Sequence, residues 1–263
     1  MRVDLHNHTK LCNHATGEME EYVEKAIEEG IDIFGFSDHA PMDFDKRYRM
    51  APNDMPKYEK EVRELKKRYE DKIEILLGYE VDFLPGLMRD DVLNAEVDYL
   101  IGSVHFLPKD KTLWGFDNPE FIGEYKNADI DKIYEDYFKA VEEMAKSSHF
   151  QIAAHLDLIK VFNFRPKKDI RILAKNALKA IKKSNMAVEI SAAGLRKPVK
   201  EAYPGKELLQ SIRDMDIPIT FASDAHAPNQ VGFEKDGIKR LAVEAGFDKQ
   251  AVFRDKEMEF LPL

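Results

Sequence analysis

Short apolar runs alternate with longer amphipathic, charged segments along the whole chain. The apolar runs have the length of buried strands, and the segments between them repeat their apolar residues with the period of a helix. The pattern predicts seven strands, at residues 3–6, 32–37, 73–81, 99–104, 151–155, 187–191 and 218–223. It predicts helices at residues 18–29, 55–69, 130–147, 168–183, 205–215 and 234–245.

An alternation of strands and helices is typical of a parallel sheet covered by helices. The chain has 263 residues without a linker, repeat or low-complexity tract, so we expect one domain spanning residues 1–263. A closed α/β barrel is favoured over an open doubly wound sheet, which usually carries a glycine-rich phosphate loop that this sequence lacks. Residues 106–127 predict a long irregular loop over the strand ends.

Composition and charge exclude several functional classes. The net charge of -9 argues against a general nucleic-acid binder, because such proteins usually present a basic surface. No apolar run is long enough to span a membrane, and the chain does not begin with a signal-peptide pattern. The single cysteine, Cys12, excludes an internal disulfide framework. We therefore expect a soluble, cytoplasmic protein with no membrane or nucleic-acid partner, and the sequence indicates no obligate protein partner.

Histidines are concentrated where the predicted strands end. His6 and His8 are two residues apart in an extended segment, so both side chains are expected on one face. Of the eight histidines, only His149 lies elsewhere, in a turn between a helix and a strand. The strand-end histidines are His6, His8, His14, His39, His105, His155 and His226, and the carboxylates near them are Asp38, Glu80, Asp82, Glu189 and Asp224.

The carboxyl ends of barrel strands meet at one rim, so these side chains predict a metal centre there. Imidazole and carboxylate groups suit zinc, iron and manganese alike. Zinc usually takes four ligands, and this larger set indicates two or three ions. Glu80 suits a bridge between ions, because each carboxylate oxygen can bind one. Cys12 is open to a role as a ligand or a nucleophile, although no CxxC pattern supports it.

The combined motifs resemble those of the PHP (polymerase and histidinol phosphatase) superfamily. They are an HxH after the first strand, a third histidine close behind, "SDHAP", a strand-borne glutamate, two later single histidines and a final "SDAH". The resemblance extends from Leu5 to about Ala227. It implies a distorted (β/α)7 TIM-like barrel with the metal site at the carboxyl ends of the strands.

The resemblance also implies a ligand set for three divalent ions, which are zinc, iron, manganese or a mixture. The first ion would be held by His6, His8, Glu80 and Asp224, the second by Glu80, His105 and His155, and the third by His14, His39 and His226. Asp38 would orient a histidine, with direct metal binding as the alternative.

Within the superfamily, the chain length, "GFSDHAP", "GYEVDF", "IGSVHF" and an insert that carries Trp114 resemble the stand-alone histidinol-phosphate phosphatases. This implies hydrolysis of a small phosphate ester, L-histidinol phosphate, in histidine biosynthesis. We expect a hydroxide that bridges metal ions to attack phosphorus. Asp224 and His226 are the candidates for passing a proton to the leaving alkoxide, and the sequence does not choose between them.

Basic residues after the fifth and sixth strands are candidates for binding the phosphate. Lys160 and Arg165 lie in "IKVFNFRP", and Arg196 and Lys197 lie in "GLRKP". Arg165 and Arg196 are preferred, since a guanidinium can bind phosphate through two parallel hydrogen bonds. The acidic candidates for the substrate's amine are Asp43, Glu189 and Asp82, and the aromatic candidates for its ring are Phe44, Phe106 and Trp114.

Three other functions stay open. The first is a PHP phosphoesterase that acts on a nucleotide, an oligonucleotide end or phosphotyrosine. The second is an amidohydrolase, whose barrel also begins with HxH. That fold normally bridges its metals with a strand lysine where this chain has Glu80, and it would leave His14 and His39 unexplained. The third is an inactive metal-bound scaffold, although such relatives usually lose ligands and here all nine positions are filled.

Overall fold

The computed structural model describes residues 1–109, 112–126 and 128–263. The strands are β1 (Val3–Asp4), β2 (Ile33–Phe36), β3 (Glu74–Asp82), β4 (Tyr99–Ser103), β5 (Phe106–Lys109), β6 (Thr112–Gly115), β7 (Ile152–Ala153), β8 (Ala187–Ser191), β9 (Ile219–Ala222), β10 (Lys249–Arg254) and β11 (Glu257–Pro262). The α-helices are α1 (Met19–Glu28), α2 (Met55–Arg68), α3 (Asp90–Leu93), α4 (Ile130–Lys146), α5 (Ile170–Lys183), α6 (Ala193–Arg196), α7 (Lys206–Asp214) and α8 (Lys235–Glu244).

Seven parallel strands form one sheet in the order β1-β2-β3-β4-β7-β8-β9. The first and last strands also meet, because Leu5 N donates to Phe221 O at 3.0 Å and Asn7 forms a parallel bridge with Ala225. The sheet is therefore a nearly closed barrel. The predicted distorted (β/α)7 TIM-like fold is confirmed, and the open doubly wound alternative is wrong.

Amphipathic helices cover the barrel. In α4, Ile133, Tyr137, Val141 and Met144 are buried at a spacing of three or four residues, as the periodicity predicts. Asp129 begins this helix by accepting a hydrogen bond from the backbone N–H of Lys132, which satisfies one donor of the first turn. No helix in the described part of the chain is both long enough and apolar enough to cross a membrane.

Tyr99 fills the centre of the barrel. Its hydroxyl donates to Leu5 O at 2.7 Å, and its ring occupies the space beside two glycines. A Cβ atom at Gly35 would lie 1.9 Å from the Tyr99 hydroxyl oxygen, and one at Gly78 would lie 2.6 Å from the ring. Glycine is therefore required at both positions for this large side chain to fit.

A C-terminal hairpin closes the amino end of the barrel. Strands β10 and β11 pair antiparallel, and Ala251, Val252 and Phe253 are buried in the interior apolar cluster. The Arg254 guanidinium forms two 2.6 Å hydrogen bonds with the carboxylate of Glu74, at the start of β3. These two strands were not predicted from the sequence.

The predicted irregular loop contains regular structure. Strands β5 and β6 form an antiparallel hairpin, and a 3-10 helix follows at Pro119–Tyr125. Trp114 is buried there, with its ring edge-on to Tyr125 at 4.8 Å. Residues 110, 111 and 127 of the predicted loop lie outside the described residues. That residues 1–263 form a single domain stays a prediction.

Candidate metal centre

The HxH motif lies just beyond β1, which ends at Asp4. The Nε2 atoms of His6 and His8 are 3.1 Å apart, and His8 Nε2 is also 3.1 Å from Asp224 Oδ1. Both histidines are fully buried. The spacing of two residues thus brings the two rings to one place, as the sequence predicts.

Glu80, on β3, lies at the centre of the cluster and is 1% exposed. Its Oε1 atom is 3.1 Å from His155 Nε2 and 3.7 Å from His105 Nε2. Its Oε2 atom is 3.5 Å from His6 Nε2 and 2.8 Å from His39 Nδ1. The two oxygens therefore face different groups of histidines, which is the arrangement that a bridging carboxylate needs.

A third group of histidines lies toward the cavity. His14 Nε2 is 3.0 Å from His226 Nε2, and the rings of His8 and His226 stack with centroids 3.9 Å apart. Four groups place all their ligand atoms within 4.8 Å of one another: His6–His8–Glu80, Glu80–His105–His155, His8–His39–His226 and His8–Cys12–Asp38. The first two agree with the predicted sets, whereas His8 takes the place predicted for His14 in the third.

Carboxylates behind the cluster hold the imidazole rings. His6 Nδ1 is 2.7 Å from Glu189 Oε2, and His105 Nδ1 is 2.6 Å from Asp82 Oδ1. The other oxygen of Asp82 is 2.5 Å from the Arg49 guanidinium. Such contacts fix ring orientation, so that Nε2 faces the centre. Glu189 and Asp82 are therefore engaged with histidines and not free for the substrate's amine, contrary to the sequence-based expectation.

Asp38 also lies behind the cluster. Its Oδ1 atom is 3.4 Å from His8 Nδ1, and it accepts hydrogen bonds from the Thr9 hydroxyl and the His39 backbone N–H. This agrees with the expected role of orienting a histidine. Cys12 is buried nearby and donates to Thr9 O, and burial raises the pKa of its thiol. A thiol that keeps its proton is a poor nucleophile.

Charge divides the histidines into two groups. Burial lowers the pKa of His6 and His8, but nearby carboxylates outweigh it and raise both pKa values well above the ordinary one. Burial also opposes ionisation of Glu80, yet the histidines around it hold its pKa well below the usual range. In contrast, burial and the charge of His8 lower the pKa values of His39 and His226.

The donor set fits divalent metal ions. Glu80 Oε2 and His39 Nδ1 are buried 2.8 Å apart, but neither makes a hydrogen bond to any described residue. Buried polar atoms without partners are strongly unfavourable unless a ligand satisfies them. Ionised carboxylates and converging imidazole nitrogens supply the ligand types that zinc, iron and manganese take.

A cavity of about 530 Å³ opens above this cluster. Arg196 lines it and donates through Nη2 to Ser223 O at 2.8 Å and Asp224 O at 2.9 Å. Its Nη1 atom is buried without a partner in the described part of the chain. Lys197 also lines the cavity. Of the basic residues predicted to bind phosphate, Arg196 is thus placed to do so.

The other predicted substrate residues lie elsewhere. Lys160 is fully buried, with Nζ bonded to Asp157 at 2.8 Å, Glu201 at 3.0 Å and Ala202 O at 2.8 Å, so its three donors are engaged. Arg165 forms a surface ion pair with Glu201, and the Asp43 side chain is 70% exposed in a separate depression. These positions do not favour the expected contacts with the substrate.

Among the predicted aromatic candidates, only Phe106 lines the cavity. Phe44 packs edge-on against Phe106 at 5.1 Å, and Trp114 packs away from the cavity against Tyr125. Several residues that line the cavity were not predicted from the sequence, among them Asp45, Arg49, Asp117 and Tyr203. They lie in connections between elements, where neither periodicity nor strand-end position marks a functional side chain.

A comparison with known protein families identifies the family to which this chain belongs. The family model of the PHP domain matches residues 4–193. This chain belongs to the PHP domain family. The resemblance inferred from the motifs is therefore confirmed, and the PHP barrel is the scaffold that carries the histidine cluster.

The PHP chain is similar to curated phosphatases over nearly its whole length. A Deinococcus radiodurans protein named "Probable histidinol-phosphatase" is 37% identical over 262 residues, which cover 97% of this chain and 98% of that protein. The histidinol-phosphatase of Bacillus subtilis is 29% identical, covering 88% of this chain and 95% of the relative.

A solved structure shares the fold. It is the crystal structure of histidinol phosphate phosphatase from Lactococcus lactis, complexed with zinc, L-histidinol and phosphate. It aligns with a TM-score of 0.81 at 20% sequence identity, covering 98% of both chains. Its barrel and that of this PHP chain therefore have the same architecture.

Proposed function

We propose that this protein is a metal-dependent phosphatase that hydrolyses L-histidinol phosphate to L-histidinol and phosphate in histidine biosynthesis. The observation that carries the proposal is the meeting of seven histidines, Glu80 and Asp224 at one end of the barrel, beneath a cavity that Arg196 lines. The relatives named as histidinol-phosphatases, matched over nearly the full chain, support the choice of substrate.

Nine residues are proposed to hold three divalent ions. They are His6, His8, His14, His39, Glu80, His105, His155, Asp224 and His226. When bound, the ions supply a water of lowered pKa as the nucleophile and positive charge that faces the phosphoryl oxygens. Zinc is the metal named in the Lactococcus lactis structure, and zinc, iron and manganese all remain candidates here.

Arg196 is proposed to bind the phosphate. Its Nη2 atom is held by two backbone carbonyls, which fixes the guanidinium plane and leaves the buried Nη1 atom to donate to a phosphoryl oxygen. A charged donor that is already oriented loses little conformational freedom when it binds an anion. Lys197 adds positive charge beside it.

Asp224 and His226 are proposed to handle the proton. Burial opposes ionisation of Asp224, but the neighbouring histidines hold its pKa well below its usual range, so the carboxylate is ionised. His226 Nδ1 lies 3.5 Å from Asp224 Oδ1. We infer that Asp224 takes the proton from the attacking water and that the proton then passes to the leaving alkoxide, with His226 orienting the carboxylate.

The cavity suits a substrate whose leaving group is cationic. Asp45 and Asp117 both line it, on the loops after β2 and β6. Burial raises the pKa of Asp45, and the charges of Asp82 and Asp117 add to this, although the Arg49 guanidinium 3.8 Å away opposes it. A protonated amine would relieve this repulsion, so we propose these two residues, in place of Asp43, as its partners. Phe106 is placed to pack on the imidazole ring.

Other functions receive less support. An amidohydrolase site normally uses a bridging lysine, and this cluster is centred on Glu80. A scaffold without activity would not need the complete set of nine candidate ligands. The cytoplasmic location and the expected lack of nucleic-acid, membrane and obligate protein partners stay predictions.

The test is phosphate release from L-histidinol phosphate, a nucleoside monophosphate and p-nitrophenyl phosphate by the metal-loaded protein. We expect strong selectivity for L-histidinol phosphate, and loss of activity in His8→Ala. His149→Ala is the matched control, because His149 is exposed and precedes β7, whereas the proposed ligand His155 follows the other end of that strand. Even, weak turnover of all three esters would contradict the assigned substrate. No turnover by a metal-loaded protein would contradict a phosphatase.

A further inference from the structure

Tyr203 lines the cavity and carries a buried hydroxyl group that no described residue uses. Its side chain is 1% exposed and lines the cavity above the metal cluster. The hydroxyl has no hydrogen-bond partner among residues 1–109, 112–126 and 128–263. A buried hydroxyl without a partner is unfavourable, so its presence indicates that a ligand supplies the acceptor.

The surroundings hold the ring of Tyr203 in place. Tyr203 N donates to Ser191 O at 3.0 Å, and Ser191 N donates to Tyr203 O at 2.6 Å, which ties the residue to the end of β8. A Cβ atom at Gly194 would lie 3.0 Å from the ring, so the ring depends on a glycine in α6. The ring of His155 lies edge-on at 6.3 Å.

The buried ion pairs of Lys160 anchor the segment that carries Tyr203. Lys160 Nζ lies 5.3 Å from the centroid of the Tyr203 ring and bonds to Glu201 and to Ala202 O. Asp157 binds both Lys160 and the backbone N–H of Gly205. Bonds on either side of Tyr203 thus restrict its movement. Lys160, which was predicted to bind phosphate, instead supports Tyr203, a residue that lines the cavity.

We propose that the Tyr203 hydroxyl donates a hydrogen bond to a phosphoryl oxygen of the substrate. The inference rests on the proposed function and assigns a further substrate-binding residue to the same site. Tyr203 lies on the β8 side of the cavity with Arg196, whereas Asp45 and Asp117 belong to the loops after β2 and β6. A phenol is protonated at neutral pH and is a suitable donor to a phosphate dianion.

The test uses Tyr203→Phe, which removes only the hydroxyl. We expect kcat/KM to fall about tenfold to a hundredfold with both L-histidinol phosphate and p-nitrophenyl phosphate, the range for a hydrogen bond to a charged group. Binding of inorganic phosphate to the metal-loaded protein, measured by calorimetry, should weaken. The melting temperature should stay the same or rise, because the lost hydroxyl has no partner among the residues that the structure describes.

Tyr134→Phe is the matched control. Tyr134 is also buried, but its hydroxyl donates to Phe164 O at 2.8 Å, outside the cavity. This variant should have a lower melting temperature with unchanged kinetics and phosphate binding, which is the reverse of the result expected for Tyr203→Phe.

Wild-type kinetics together with wild-type phosphate binding in Tyr203→Phe would overturn the inference. So would a loss seen only with L-histidinol phosphate, because the hydroxyl would then contact the amine or imidazole part of the substrate. The proposed function fails separately, if the metal-loaded wild type hydrolyses none of the esters. In that case the calorimetric comparison of phosphate binding still decides the role of Tyr203.

Discussion

The two ends of the barrel are built from the same strands but bury opposite kinds of side chain. At the amino end, Phe253 and its neighbours on β10 close the interior with apolar side chains. At the carboxyl end, His6, His8 and Glu80 are just as inaccessible but ionisable, and a cavity opens above them. Strand β3 shows both in one element, with Leu76 in the apolar interior and Glu80 in the cluster.

The contrast separates the end of the barrel that stabilises the fold from the end that carries out the chemistry. Apolar burial at the amino end is favourable by itself, at roughly 25 cal/mol per Å². Burial of charged groups at the carboxyl end is unfavourable unless they are paired or bind metal. We therefore expect substitutions at the amino end to change stability, and substitutions at the carboxyl end to change metal binding and catalysis.

The largest expected effect is the loss of activity in Glu80→Gln. This change removes the carboxylate that faces two groups of histidines, so kcat/KM for L-histidinol phosphate should fall at least about a thousandfold, since metal ions contribute several kcal/mol to such reactions. Metal content, measured by mass spectrometry, should fall as well.

Glu74→Gln is the matched control for Glu80→Gln, on the same strand but at the opposite end of the barrel. It weakens the partly exposed ion pair with Arg254, a change worth about 0–1 kcal/mol of unfolding free energy. Its kinetics should equal those of the wild type. Equal activity in both glutamate variants would contradict the division between the two ends.

The next largest effect is expected from Phe253→Ala. Truncation of this buried ring should lower the free energy of unfolding by about 3–5 kcal/mol, because a cavity remains inside the barrel. The kcat of the folded fraction should not change. Phe260→Ala, on the same hairpin but 47% exposed, should change stability by no more than about 0.5 kcal/mol. A specific loss of kcat in Phe253→Ala would show that the two ends are coupled.

A smaller effect is expected from Asp82→Asn. The neutral amide cannot replace the carboxylate that holds His105 Nδ1 and pairs with Arg49, so metal affinity should fall about tenfold to a hundredfold. Competition with a metal chelator measures this change, and Asp43→Asn at the exposed surface is the control. Unchanged metal affinity in Asp82→Asn would show that the carboxylate does not act on the metal site.

The smallest signal is the release of protons when zinc binds at pH 7. In the metal-free protein the carboxylates raise the pKa values of His6 and His8, and despite burial they raise that of His105 to about 9, so these imidazoles hold protons. Their pairing with carboxylates stabilises the fold fully below about pH 6.5 and is lost as the pH rises through the raised pKa values. Metal ligands must be neutral, so zinc displaces these protons.

Calorimetry in buffers of different ionisation enthalpy measures that release. His39 and His226 should contribute none, because burial already keeps them neutral. Zinc binding without any release of protons would contradict the assignment of the raised pKa values to metal ligands.

The sequence predicted the chemistry of the carboxyl end better than its shape. His6, His105 and His226 stand out because a rare residue type recurs where strands end. The predicted ends of the strands were less accurate. Strand β1 ends at Asp4 and β7 ends at Ala153, so both histidine motifs lie beyond the strands.

Other features left no periodic signal. Tyr203 and Asp117 lie on connections whose paths depend on tertiary contacts. Lys160 resembled a phosphate ligand by its position after a strand, but only the structure shows that Asp157 and Glu201 bind it. The hairpin of β10 and β11 is part polar and part apolar, and only the open amino end of the barrel gives its apolar residues a place to pack.

Removal and restoration of the metal would show whether the carboxyl end of the barrel is a catalytic metal centre. Chelated protein should release no phosphate from L-histidinol phosphate, and titration with zinc or manganese should restore release in step with the number of ions bound, up to three per chain. Full activity in the metal-free protein, or bound metal without hydrolysis, would contradict a catalytic metal centre at the carboxyl end of the barrel.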